Sequence, residues 1–452
     1  MTQATTAIVI GASMGGLAAA RVLSEHVDRV EVIERDALPV EAATRRGVPQ
    51  GRHAHILLAA GEGLLDGWFP GLADELLARG AVRCGTERMV WFQAGGYRVQ
   101  ADLGLTQVSM TRPLLEGTVR RRLVSLPNVT ITDGVSVDRL IVERGRVSGV
   151  TVDGVDRRAD LVVDCSGRQG RFLTQLESLG FPAPDVTAIR IDMAYGTRIV
   201  PRRPSDVADA FIGVVDSPAR GHRIGVAVPV EDDRWIITLG GFHGDAPPSD
   251  PVEFERFARS LPASDVAELL DGNEALTPVM THRMATSQRR HVERLRETPA
   301  GYVVLGDGIC SFNPIYGQGM SSAAMQADVL GEAVGEHGPA SAELARAFYR
   351  RAAKVVDVPW KIAAGTDFAH PATTGRKPFG TDLTNRYLDQ VLRAYHTSVP
   401  VSRRMFEVQN LLARPESLMT PAMMARVLWA ARRSPANDRT ILDEELRMPA
   451  TA

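Results

Sequence analysis

The sequence predicts an α/β protein: a Rossmann-like dinucleotide-binding unit, a second layer of mainly antiparallel β-sheet, and a helical C-terminal region. Three observations predict it. An apolar run, Ala7-Ile8-Val9-Ile10, leads through a glycine-rich turn, Gly11-Ala-Ser-Met-Gly-Gly16, into residues 17–23 of helical composition. A second glycine-rich turn, residues 306–319, follows another apolar run, Tyr302-Val-Val-Leu305. Between the two, Ile189, Ile191, Met193, Tyr195 and Ile199 alternate with Arg190, Asp192, Ala194 and Arg198, the period of a strand with one buried face.

Each element has a chemical reading. In the first turn, glycine at 11 permits the tight bend and glycine at 16 lets helix and strand pack closely, while Ser13 replaces a third glycine. The helix start at Ser13 and Met14 offers free amides and a partial positive charge to a pyrophosphate. The next apolar run, Val30-Glu-Val-Ile33, ends in Glu34, 18 residues past Gly16, with Arg35 beside it. A carboxylate there can accept hydrogen bonds from a ribose hydroxyl pair. This half does not separate NAD from FAD. The second turn does, because Asp307 stands just past its strand, placed for a ribityl chain, and residues 321–331 read as a helix of small residues. Pro314, Gly317, Gln318, Gly319 and Met320 lead into that helix, whose amides and dipole favour negative charge. An anionic reduced flavin supplies that charge, so the two turns are expected at opposite ends of one FAD.

Because these motifs flank the alternating segment, the expected FAD-binding domain is discontinuous, comprising residues 1–85, 105–180 and 280–345. Residues 86–104 and 181–279 form the expected substrate-binding sheet, with a hairpin about the turn Glu231-Asp-Asp-Arg234. Residues 346–452 read as helical, with amphipathic pieces at 383–395, 405–412 and 423–431. Trp91, Phe92, Met193, Tyr195, Phe211 and Phe242 are candidates to line an apolar substrate pocket. His53 and His55 do not share a helix face, so no metal pair is expected. Cys310 reads as a small buried hydrophobe, and Arg45 and Arg46 as either gates of flavin movement or a solvated face.

With these motifs in place, the chain resembles the group A flavoprotein monooxygenases, whose fold is that of p-hydroxybenzoate hydroxylase with a glutathione-reductase-type FAD domain. The likeness spans residues 5–345. Within it, Arg46-Gly-Val-Pro-Gln-Gly-Arg-His-Ala-His55 and residues 306–320 are similar to the polyketide-tailoring branch, in particular the FAD-dependent olefin epoxidases of polyether pathways. The resemblance implies that Arg112, in Thr111-Arg-Pro113, reaches the FAD, and that the backbone at Gly134-Val135 meets the adenine. It places Asp164, in Asp-Cys-Ser-Gly167, in a motif associated with FAD and nicotinamide. Here Cys165 and Ser166 interrupt the Asp-Gly form of the aromatic hydroxylases, a departure that weighs against direct NADPH use. The implied reaction is that of a monooxygenase. Reduced FAD adds O2 to give a hydroperoxide, which passes one oxygen atom to an apolar polyketide or other secondary metabolite, with NAD(P)H or a separate reductase as electron source. Epoxidation demands no general base, whereas phenol hydroxylation benefits from one. No acid or base is assigned; the loop carrying Pro314, Gly317 and Gly319 is the expected reaction surface.

Composition agrees. With 452 residues, 44% of them hydrophobic, and a net charge of -2, the chain can bury large cores, and neither nucleic acid nor an acidic membrane surface is indicated. The first strand begins near residue 7 and no charge-free apolar run reaches about 18 residues, so neither a cleaved leader nor a transmembrane segment is expected. Cys84, Cys165 and Cys310 are too scattered for a disulfide framework or a metal site, which suits a reducing cytoplasm. There is no Gly-x-Ser-x-Gly elbow, no His-Glu-x-x-His and no redox cysteine pair. A flavin-dependent halogenase needs a lysine between flavin and substrate and a Trp-x-Trp-x-Ile-Pro segment. No lysine precedes Lys354, and Trp235 stands alone. Two alternatives remain open: a flavin-dependent reductase of isoprenoid double bonds and a non-catalytic flavin-binding scaffold.

Overall fold

The computed structural model describes residues 4–206, 211–216 and 223–434. The chain opens with β1 (Thr6–Ile10), α1 (Met14–Leu23) and β2 (Arg29–Ile33), then α2 (Ala59–Trp68) and α3 (Leu72–Ala78). Short strands β3 (Val82–Gly85), β4 (Val90–Gln93), β5 (Gly96–Tyr97) and β6 (Thr106–Ser109) precede α4 (Arg112–Val124) and β7 (Val129–Thr132). A meander of β8 (Val137–Glu143), β9 (Arg146–Val152) and β10 (Val155–Arg158) leads to β11 (Leu161–Asp164) and α5 (Arg171–Ser178). Next come β12 (Val186–Pro201), β13 (Ile212–Val215), β14 (Ile224–Val230), β15 (Arg234–Phe242), α6 (Pro251–Arg259), α7 (Asp265–Leu270) and β16 (Met280–Arg290). The chain returns through β17 (Tyr302–Val304) and β18 (Cys310–Ser311) to α8 (Gly319–His337) and α9 (Leu344–Asp367). It closes with β19 (Thr374–Gly375), α10 (Thr381–Ala394), α11 (Val399–Gln409) and α12 (Pro421–Ala431).

The near-continuous apolar runs of β1, β11 and β17 make strands buried on both faces, as a parallel sheet requires. They assemble in the order β17-β11-β1-β2-β7, all parallel. Register aligns Ile10 with Ile33 and with Asp164, so the strand C-termini share one edge, where ligands of open α/β sheets bind. Gly11 has a φ of +99°, and a Cβ there would lie 2.7 Å from the Cys165 carbonyl oxygen. At Gly16 a Cβ would fall 1.8 Å from the Gly11 carbonyl oxygen, so α1 can start against the turn only with glycine. The first turns of α1 and α8 lie side by side: a Cβ at Gly15 would touch Ala323 at 3.5 Å.

The second sheet runs β18-β16-β12-β15-β14-β13-β4-β5, with β19 added beside β12, and is mainly antiparallel. It corrects two expectations. The sheet extends through β16 and β18, past the boundary read at residue 280, because β16 pairs along most of β12. The register of β12 also shifts between Arg190 and Met193, with Asp192 at a φ of +41°, and beyond that bulge Met193 to Thr197 are all buried. Both faces are covered there, not one. Phe254, Phe257, Val266 and Leu269 of α6 and α7 pack on one face with Phe92, Trp235 and Leu239, while Met193, Tyr195 and Phe242 join the core of the parallel unit on the other. The expected C-terminal helical pieces fall on α10, α11 and α12, which build a small core of their own around Val391, Tyr395, Val401 and Val427. The remainder of that region, residues 435–452, lies outside the described residues. Among those described, no helix is long and apolar enough to cross a membrane.

Candidate functional site

The candidate site is built along the C-terminal edge of the parallel sheet. Ser13 caps α1 with an extended backbone and leaves its own side chain out of the cap, while Met14 is buried behind it. At the end of β2, the Glu34 Oε2 accepts from the Ala12 amide at 2.7 Å and sits 3.0 Å from the Arg45 guanidinium. Arg35 beside it is exposed. Just past β7, in the loop and not in the strand, the Val135 amide bonds the Glu34 carbonyl at 3.1 Å. Thus the acidic position and the expected adenine-facing backbone are adjacent.

From Glu34 a row of alternating charges runs across the site. Arg45 also bridges Asp36 at 3.2 Å and Glu116 at 2.9 Å, and Glu116 lies 3.5 Å from Arg112. Arg45 is buried among three carboxylates, whereas Arg46 is exposed; of the two readings offered for this pair, the solvated face holds only for Arg46. Burial holds the Arg112 guanidinium below its usual range, opposed by Glu116 and Asp307. The Asp307 carboxyl is in turn pushed up by desolvation, opposed by Arg112 and Arg168. Yet Asp307 keeps an exposed face. A group that protein surrounds closely but solvent still reaches belongs to the wall of an open cleft.

The loop before α8 forms the next part of that wall. Gly317 has a φ of +66° and Gln318 is the buried N-cap of α8. Pro314 and Gly319 are exposed, Met320 is buried, and a Cβ at Gly319 would meet nothing within 4 Å. Behind the loop, the Asp367 Oδ1 accepts from Asn313 Nδ2 at 2.8 Å and Tyr316 Oη at 2.9 Å. Burial pushes the Asp367 carboxyl up to about 7, against those two hydrogen bonds. These residues fit FAD. Arg45 Nη2 and Gln318 Oε1 are buried with no hydrogen-bond partner in the protein, and Gly319 opens onto free space at the start of α8.

Opposite this wall stands the inner face of the large sheet, reached through residues 53–58. The Leu58 amide bonds Ser321 Oγ at 3.1 Å, tying this segment to α8. His53 Nδ1 pairs with Thr197 Oγ1 at 2.8 Å, and its ring meets Tyr195 edge-on at 4.5 Å with His282 beyond at 5.9 Å. Desolvation brings His53 down to about 4, and His55, beside Arg112, down to about 3, so both imidazoles are neutral near pH 7. Among the described residues no group of three His, Cys, Asp or Glu side chains is placed to hold a metal.

Some expected residues do not converge here. Met193, Tyr195 and Phe242 share the inner face, but Phe92 points through the sheet to α6 and α7, because neighbouring strand residues face opposite ways. Phe211 packs with Met89, Val228 and Phe406, and Trp91 lies under α10 and α11. Asp164 is also withdrawn: it is buried in the sheet edge, with one oxygen taken by the Ser166 amide at 2.9 Å and the other by Tyr302 Oη at 2.8 Å. Cys310 is buried in β18. Conversely, Glu231, read as a turn residue, is buried and accepts from the Thr111 amide at 3.0 Å and its hydroxyl at 2.5 Å. It thereby holds the N-cap that projects Arg112. Thr111 before Arg-Pro signalled the cap, but its partner, 120 residues away, left no local trace.

A family model described as an FAD binding domain matches residues 4–358. Protein Rv3254 of Mycobacterium tuberculosis is 34% identical over 425 residues, covering 88% of each chain. Kynurenine 3-monooxygenase of Salinispora tropica is 26% identical, over 73% of this chain and 72% of that one. Among solved structures, a triple mutant of the flavin-dependent brominase Bmp2 superposes with a TM-score of 0.67 at 14% identity, covering 94% of this chain and 99% of that one, a likeness of fold.

Proposed function

The chain belongs to the FAD binding domain family, as a flavoprotein monooxygenase of group A type, and from that premise we propose that it inserts one oxygen atom of O2 into an apolar secondary metabolite, polyketide in type. Epoxidation or hydroxylation would be the outcome, in the cytoplasm, with electrons from NAD(P)H or from a separate reductase. The observation that supports this best is the buried row from Glu34 through Arg45 and Glu116 to Arg112 and Asp307, ending at the glycine-lined start of α8. Bound FAD supplies the redox chemistry and the activation of O2.

In this reading the chain binds, orients and excludes water. Glu34 would hold the ribose, Arg112 the central part of the cofactor, and the α8 amides the anionic edge of the ring. Met193, Tyr195 and Phe242 would keep water from the reacting face. Neutral His53 and His282 would accept a hydrogen bond from a substrate hydroxyl, a feature that favours a phenolic substrate over a plain alkene. The division into a cofactor unit and a substrate sheet belongs to the same reading. The Asp164 carboxylate is turned into the sheet edge and almost wholly buried, away from an incoming nicotinamide, so a separate reductase stays among the expected electron sources.

The test is aerobic NAD(P)H consumption by the purified protein against polyketide alkenes and phenols, with mass spectrometry in isotopically labelled O2. Substrate-stimulated consumption with label in the product is expected. Saturation of a double bond without oxygen gain, or a protein that retains no flavin, would overturn the proposal.

A further inference from the structure

Away from the candidate site, a small, partly enclosed cavity lies between the β4–β5 hairpin and the helices α10 and α11. Arg98, Tyr395 and Ser402 line it with Trp91, Met405 and Gln409. The three polar residues are 7%, 2% and 1% exposed, and the Arg98 Nε, Tyr395 hydroxyl and Ser402 hydroxyl have no hydrogen-bond partner in the protein. Arg98 has only soft neutral neighbours, Met89 sulfur at 3.5 Å from Nη2 and the Phe406 ring at 5.0 Å. Among the described residues no carboxylate pairs with it, and none lines the cavity. Ser402 stands in the first turns of α11, whose N-terminus adds positive potential.

A buried guanidinium without a counter-charge is costly, and so is each buried donor left unmade. The space is about 10 Å³ to a water-sized sphere, roughly one water's worth, so a single-atom ion enters only if the flexible Met405 and Gln409 side chains give slightly, and a carboxylate or phosphate needs far more room. One water could satisfy hydrogen bonds there but would leave the cation uncompensated. We propose that this cavity is a halide site in which chloride accepts hydrogen bonds from Arg98, Tyr395 and Ser402 and joins the β4–β5 hairpin to α10 and α11. The site is independent of the flavin reading.

Thermal unfolding of the full-length protein tests it, in sodium chloride, bromide or gluconate at one ionic strength. The midpoint is expected to rise by about 2 °C for each tenfold increase in halide above its dissociation constant, with no rise in gluconate. Arg98→Met removes the charge while keeping the stem, and should abolish the halide effect. Should that variant fail to fold, Ser402→Ala should still weaken the effect. Crystals grown in bromide should show anomalous scattering at the cavity. Equal midpoints in halide and gluconate, a halide effect that survives Arg98→Met, or a water in the cavity of bromide-grown crystals would overturn the proposal.

Discussion

A glycine can be required for what it would touch or for the room it leaves, and Gly16 and Gly319 separate the two cases. A Cβ at Gly16 collides with the Gly11 carbonyl, so Gly16→Ala should damage the fold itself; thermal unfolding with and without FAD should show the loss in both. At Gly319 a Cβ meets only open space. Gly319→Val should therefore melt near the parent temperature without FAD, yet show an altered flavin spectrum and little product. Parent-like turnover would mean that the ring does not lie there. In the proposed reading, Glu34→Ala and Arg112→Met each remove a buried partner of the cofactor. Losing one such bond costs about 1–3 kcal/mol, or roughly 5- to 150-fold in FAD affinity, measurable by fluorescence titration of apoprotein. Glu34 was legible from its spacing to Gly16. Glu231 was not, because its partner Thr111 lies on a different layer.

At the scale of elements, the loop before α8 and the end of α9 act as a pair. Asp367, at the last residue of α9, holds Asn313 and Tyr316 from behind, and its carboxyl titrates near 7 in the fold against about 3.9 in the unfolded chain. The sign follows from that raised value: its contribution to stability is full below about pH 4 and is lost as pH rises through 7. Asp367→Asn keeps an oxygen acceptor and cannot ionise. The parent's melting temperature should therefore fall relative to this variant between pH 5 and pH 8, and a gap that does not change with pH would refute the assignment. The same ionisation should shift the spectrum of bound flavin in the parent only. Neither element announced this pairing, since a helix-ending aspartate is ordinary in sequence and only burial raises its pKa.

For the whole molecule, Arg45 joins Glu116 of α4 to Glu34 at the end of β2, and the segment before α2 ties the large sheet to α8, so cofactor and packing should be coupled. Removing FAD should lower the melting temperature, and adding it back should raise it with the logarithm of free FAD; calorimetry that finds no dependence would separate the cleft from the cofactor. By itself, the sequence determined the local elements: strand, glycine turn and helix at both ends, the positions of Glu34, Arg112 and Asp307, and the helical C-terminal region. Apolar period, turn chemistry and capping act over a few residues, so they can be read in one dimension. The tertiary structure alone decided which side of the sheet each aromatic residue faces, that Asp164 is closed off by Tyr302 and Ser166, and that β16 extends the large sheet. Those outcomes depend on strand register, on a bulge at Asp192 and on desolvation, each set by partners as far as 138 residues away.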